Sequence, residues 1–94
     1  MKIRNIIWLD EFVDKLARKH CVDQSEVAEV LLGRPLFRFI EKGHRRGENV
    51  YSAMGKTRTG RFLTIFFVLK DRDRALILSA RDMSARERKT YEKK

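Results

Sequence analysis

GRFLTIFFVLKDRDRALILSARDMSARERKTY, residues 60–91, is the stretch on which the fold turns. Its apolar run from Phe62 to Leu69 is rich in β-branched and aromatic residues and too short for an ordinary globular helix, which predicts a buried strand. A second run, Ala75 to Ala80, follows after Lys70-Asp71-Arg72-Asp73-Arg74, a charged link of hairpin length. The two runs are therefore expected to be adjacent antiparallel strands at the centre of a sheet. With the tip centred on Arg72, Arg61 falls diagonally across from Arg81 on one face, and a slip of one residue would part them. Two guanidiniums sharing one end of one face call for a carboxylate or a bound anion, such as a phosphodiester, between them. Sheet-end ion pairs with nearby Asp or Glu are the structural alternative.

Working outward, Ser84-Ala85-Arg86-Glu87 is a capping box that starts a helix running through Tyr91, ahead of a frayed 92–94 tail. That helix brings its positive N-terminal end and unpaired amides close to Arg81. On the other side, Gly55 to Gly60 forms the turn that leads from a strand at 49–54 into the central run. Its glycine spacing is that of a phosphate-binding loop, but Arg61 and Phe62 stand where Lys and Ser or Thr are required and no helix follows, which excludes a nucleoside triphosphate site. The turn places Lys56 and Arg58 at the same end of the sheet as Arg61 and Arg81. Glu48 belongs to the opposite end.

The first half of the chain supplies the cover. Residues 3–8 read as a short strand, with Asp10 as N-cap of a helix to about His20. Phe12, Val13, Leu16, Ala17 and His20 form its apolar stripe. His20 ends that stripe, either as a satisfied, partly buried histidine or as a side chain pointing into a site at the helix end. Asp23-Gln24-Ser25-Glu26 is a second capping box, opening a helix that buries Val27, Val30 and Leu31 and stops at Gly33 and Pro35. Residues 36–41 alternate imperfectly and read as an edge strand, followed by a basic loop at 43–47. Together these elements predict an α+β chain, a twisted, mainly antiparallel sheet packed by an N-terminal helical hairpin and a C-terminal helix.

Ninety-four residues suit one small core, so a single domain over 1–94 is expected. The 22 Lys and Arg against 13 Asp and Glu leave a net charge of +9, which favours an anionic partner such as nucleic acid or an acidic protein. Residues 48–94 carry twelve basic and six acidic side chains, so the anion-facing surface is expected in that half. Cys21 is the only cysteine; an internal disulfide is excluded, and a small buried thiol in a reducing compartment is the expectation. With neither a signal-peptide pattern nor an apolar run of spanning length, a soluble, cytoplasmic chain that does not engage a membrane is expected. No cysteine set for metal is present, and neither cofactor nor metal is expected.

Gly60-Arg61-Phe62-Leu63, Ser79-Ala80-Arg81 and Ser84-Ala85-Arg86-Glu87-Arg88-Lys89-x-Tyr91, taken with Lys19-His20-Cys21-Val22, resemble the BrnT family of ribonuclease toxins from type II toxin–antitoxin systems. The chain departs from the usual Lys-His-Gly pattern at Cys21. The resemblance implies a RelE-like toxin fold and a metal-independent endoribonuclease, a hydrolase in which a 2′-hydroxyl attacks the adjacent phosphorus, inhibiting translation. It also implies RNA as substrate, an antitoxin encoded alongside, and operator DNA engaged only through the antitoxin complex. It motivates Arg61 and Arg81 as phosphate stabilisers, His20 as acid or base with Glu87 as an alternative base, and Lys56, Arg58, Arg86 and Tyr91 as RNA contacts. A non-catalytic basic nucleic-acid-binding module, or a degenerate toxin retaining only its antitoxin interface, is the alternative.

Overall fold

The computed structural model describes residues 1–43 and 47–93. The basic-loop residues His44, Arg45 and Arg46, and the terminal Lys94, lie outside them. Five strands form one sheet in the order β1-β5-β4-β3-β2: β1 (Asn5–Ile7), β2 (Leu36–Glu41), β3 (Val50–Lys56), β4 (Phe62–Lys70) and β5 (Arg74–Asp82). β4 is the central strand, as its uninterrupted apolar run predicts, and only the β1–β5 pair is parallel. β2 is an edge strand with a register shift between Phe39 and Glu41, which accounts for its imperfect alternation.

The β4–β5 hairpin decides where everything else sits. Near the tip, Lys70 pairs with Arg74 and Phe67 with Ile77, the register expected for a turn centred on Arg72. Between Phe66 and Phe67 the register shifts, so Phe66 pairs with Ser79 and Thr64 with Arg81, and Leu78 is the extra residue of a bulge. That one residue moves everything beyond it to the other face relative to β4. Arg61 and Arg81 therefore lie on opposite faces of the sheet, and the expectation that they share one face is corrected.

Directly paired residues share a face, so the registers define two surfaces. Phe37, Ala53, Ile65 and Ala80 form one row across the sheet, and Tyr51, Phe67 and Ile77 the next. Ala53, Ile65, Phe67, Ile77 and Ala80 are fully buried there with Leu16, Val22, Val27, Val30 and Leu31 of the helical layer. Each of the larger side chains contributes about 1.5–3 kcal/mol by its burial. On the opposite face the rows are Leu36, Met54, Thr64 and Arg81, then Arg38, Ser52, Phe66 and Ser79. That face is capped at one end by α3 (Ala85–Glu92), whose Tyr91 meets Phe62 edge-on at 6.1 Å.

The helical layer follows the sequence with two local changes. α1 (Asp10–Lys15) is capped by the extended Leu9, not Asp10, because the Leu9 carbonyl accepts from the Phe12 and Val13 amides; Asp10 occupies the first helical position. The helix then widens into a π turn over Leu16–His20. It closes where the Cys21 and Val22 amides both donate to the Leu16 carbonyl, with Cys21 left-handed at φ 52°. The wider turn shifts the buried stripe from Leu16 to Val22, so Ala17 is exposed where the helical spacing predicted burial. Cys21 is also exposed, which corrects the expectation of a buried thiol. α2 (Gln24–Leu32) has both bonds of its Asp23–Glu26 capping box and stops at Gly33.

α2 lies so close to β3 that a Cβ on Gly55 would sit 2.8 Å from Val30 Cγ1. β3 accordingly runs through Gly55 to Lys56, and the turn is confined to Thr57–Gly60, with Gly60 at φ 93°.

Candidate functional site

Arg61 leaves the start of β4 on the helical face. Its Nε donates to Asp82 Oδ1 at 2.8 Å, its Nη1 to the Cys21 carbonyl at 2.7 Å and to the Glu26 carboxylate at 3.0 Å, and its Nη2 to the His20 carbonyl at 2.9 Å. The Asp82 hydrogen bond, opposed by burial and reinforced by Glu26, raises the guanidinium pKa above its ordinary value. A guanidinium carries five N–H donors, and these contacts engage four of them. Arg61 thus ties the central strand to the π turn and to the cap of α2, and has one N–H left for a ligand.

Arg81 lies on the opposite face, 37% exposed, beneath the start of α3. Its Nη1 donates to Glu87 Oε1 at 2.5 Å and to the Asp82 carbonyl at 3.2 Å, and its Nη2 to Glu87 Oε2 at 2.9 Å. The Nε–H and the second Nη2–H, which share one edge of the planar group, take no partner among the described residues. That edge has the two-donor geometry that matches phosphate oxygens.

Glu87 closes the capping box of α3 by accepting from the Ser84 amide at 2.9 Å, and it also accepts from Thr64 Oγ1 at 3.2 Å. Burial alone would push its carboxyl up; the Arg81 hydrogen bonds, followed by the Ser84 amide, hold it at about 2 instead. A carboxylate so weakly basic and so fully bonded orients Arg81 and is poorly suited to take a proton at neutral pH. The capping box also engages the Ser84 and Glu87 amides, so the expected set of open donors at the start of α3 is reduced. The anion-sized meeting point of both arginines and the helix end, expected from the sequence, does not form; Arg61 is on the far side of the sheet.

The other predicted residues divide between the two faces. The His20 carbonyl is held by Arg61, while its half-buried imidazole has no hydrogen bond to the described residues. Arg58 is almost fully exposed, with its amide bonded to Glu29 of α2 and its Nε 3.9 Å from the same carboxylate. Lys56 Nζ stands 5.3 Å from the centre of the Phe62 ring, and Tyr91 packs on that ring from α3. Arg86 is exposed on the first turn of α3. Glu48 pairs with Lys70 at 2.6 Å at the opposite end of the sheet, as expected.

Three contributors were missed. Arg88 covers Phe62, with its guanidinium carbon 4.0 Å from the ring centre. Asp82 receives Arg61 on its side chain and Arg81 on its carbonyl, joining the two faces. Glu26 serves Arg61 as well as its own cap. The signal for Asp82 lies in its place next to Arg81; Glu26 reads from the sequence as a capping-box residue alone. Among the described residues, no group of three His, Cys, Asp or Glu side chains is placed to hold a metal ion. No helix among them is long and apolar enough to cross a membrane.

A five-stranded, mainly antiparallel sheet with helices on one face and a capped C-terminal helix on the other defines a small α+β fold. The ribonuclease toxin BrnT of Brucella abortus has a similar solved structure, with a TM-score of 0.58 and 16% identity, covering 85% of this chain and 96% of that one. The family model described as the ribonuclease toxin BrnT of type II toxin–antitoxin systems matches residues 8–87. The chain belongs to the BrnT family. Membership makes it a type II toxin–antitoxin ribonuclease toxin by family, with an antitoxin as partner and RNA as target. No curated protein matches the chain.

Proposed function

We propose that the chain, as a single domain over 1–94, is a metal-independent endoribonuclease of the cytoplasm that cuts by attack of a 2′-hydroxyl on the adjacent phosphorus; the 2′-oxygen loses its proton and bonds to phosphorus, the P–O5′ bond breaks, and the departing 5′-oxygen takes up a proton. Through that cleavage it inhibits translation, and it is neutralised by its antitoxin, which alone brings the complex to operator DNA. The observation that carries this reading is the unpaired edge of Arg81, two N–H donors without a partner among the described residues on a guanidinium held in place by Glu87. Charge grows on the phosphorane oxygens as the 2′-oxygen bonds to phosphorus, and donors fixed beforehand stabilise it without reorganising.

Lys56, Arg58 and Arg86 hold flanking phosphates, and Tyr91 positions the strand. His20 acts as acid or base on RNA that crosses the sheet end at Asp82, where the two faces are joined. Arg61, with four of its donors engaged, positions the His20 turn instead of meeting phosphate. Glu87 is the positioning residue for Arg81. A second reading, a toxin that has lost catalysis and keeps its binding surfaces, is favoured by one observation: both arginines already have carboxylate partners.

The test is incubation of the purified chain with mixed free RNA in EDTA, followed by analysis of the product ends. The expected result is cleavage with 2′,3′-cyclic phosphate ends, the direct product of 2′-hydroxyl attack. RNA that stays intact in EDTA and is cut on adding a divalent cation would overturn metal independence. RNA bound but never cut would favour the silent toxin.

A further inference from the structure

Beyond α3, the Arg81 face of the sheet continues into the row Arg38, Ser52, Phe66 and Ser79, one residue from each of β2, β3, β4 and β5. Phe66 sits in the central strand yet is only half-buried, unlike its neighbour Phe67 on the helical face, which is fully buried. The Arg81 guanidinium carbon lies 5.3 Å from the centre of the Phe66 ring. Arg38 is exposed two strands away, roughly 10 Å across the sheet, and its side chain has no partner among the described residues. Ser79, beside Phe66 on β5, is half-buried with its hydroxyl on the same face. Ser52, between Arg38 and Phe66, is buried, which leaves the half-buried Phe66 ring, the Ser79 hydroxyl and the Arg81 and Arg38 guanidiniums as the groups a ligand can meet.

They make a good platform for one unpaired nucleotide. Base stacking on an aromatic ring is tolerant of sequence, and flanking cations follow the backbone. Charge complementarity identifies the occupant: Arg38, Arg81, Lys56, Arg86 and Arg88 lie on this face or its rim, against two carboxylates, Glu87, which is bonded to Arg81, and Glu41, which the β2 register shift places on this face at the far end of β2. A base-paired strand has no open ring face to offer Phe66, so the occupant is single-stranded.

We infer that Phe66 and Arg38 form a nucleotide subsite next to Arg81, with an unpaired base of the RNA stacked on Phe66 and the phosphate beyond it held by Arg38. This subsite rests on the ribonuclease reading and extends it: the substrate is single-stranded where it crosses β4, and the subsite holds the nucleotide adjoining the one at Arg81.

The two residues have separable signatures. The probe is a fluorescent 2′-O-methyl oligoribonucleotide, which lacks the attacking hydroxyl, used single-stranded and as a duplex, with anisotropy read over a salt series. Phe66→Leu is expected to weaken single-strand binding about five-fold or more with the salt slope unchanged, and Phe66→Trp to retain binding. Arg38→Ala is expected to lower the slope of log affinity against log salt by about 0.7, and Arg38→Lys to restore it. Circular dichroism establishes that each variant is folded, and Phe66→Trp keeps the test usable where Phe66→Leu does not fold. Wild-type affinity and slope in the Phe66→Leu and Arg38→Ala proteins would overturn the subsite while leaving the ribonuclease reading intact. Equal binding of the duplex would overturn the single-strand requirement. A wild-type chain that neither binds the probe nor cuts RNA would remove the ribonuclease reading and the subsite together.

Discussion

Arg61 and Arg81 stand at the same end of adjacent strands, both carry a carboxylate partner, and both have a raised pKa, yet they are fitted for different work. Arg61 spends its donors on two backbone carbonyls of the π turn and two carboxylates, on the face where the helices pack. Arg81 gives three donors to Glu87 and the Asp82 carbonyl and keeps the two of one edge without a partner among the described residues, on the face that carries α3. The lesson is that counting an arginine's remaining N–H groups, and asking whether they share an edge, separates a structural guanidinium from one able to receive phosphate. Pairing with a carboxylate does not.

The largest expected effect is on catalysis. Arg81→Ala should lower the cleavage rate on the order of a hundredfold or more while leaving the fold intact, read by single-turnover cleavage alongside thermal melting. Arg61→Ala should act the other way round. It removes the guanidinium from Asp82 and from the His20 and Cys21 carbonyls and leaves Glu26 with only its cap, so a stability loss of about 2 kcal/mol is expected, roughly 10 °C in melting temperature. An Arg61→Ala protein that melts like the wild type but has lost cleavage would reverse the two roles.

Gly55→Ala sharpens the same contrast from the helical side. The new methyl must displace the branched side chain of Val30, and a loss of about 1–3 kcal/mol in denaturant melts is expected without change at Arg81. Glu87 gives a pH signature on the other face. Its folded pKa of about 2 is below the ordinary value of 4.5, so its contribution is complete above 4.5 and is lost as pH falls from there through about 2. Glu87→Gln should flatten that part of the stability profile, measured by urea melts across the acid range. Smallest is Cys21→Gly. The residue sits at φ 52°, a conformation that glycine adopts without strain, so a gain of up to about 1 kcal/mol is expected in the same melts.

Much of this layout was legible in the residues. The two capping boxes, Asp23–Glu26 and Ser84–Glu87, mark helix starts through chemistry confined to four positions, and both are present as read. The central strand, the edge strand and the stop at Gly33 rest on equally local signals. What escaped depended on longer-range choices. Leu78 is an apolar residue inside an apolar run, with no glycine or proline to announce the bulge, yet it decides which face Arg81 occupies. The π turn after Lys15 is hidden in a regular stripe, because the gain comes from bringing Val22 into the core. Glu87 could be read as a cap but not as the partner of Arg81, since that contact exists only once the register is set.

The most direct measurement is cleavage of single-stranded RNA in EDTA by folded Arg81→Ala and folded Arg61→Ala proteins, each rate corrected for the folded fraction. A large rate loss in Arg81→Ala, with a smaller corrected loss in Arg61→Ala through displacement of the His20 turn, is the predicted result. An Arg81→Ala protein that cuts as fast as the wild type would contradict the assignment of the phosphate site to this face of the sheet.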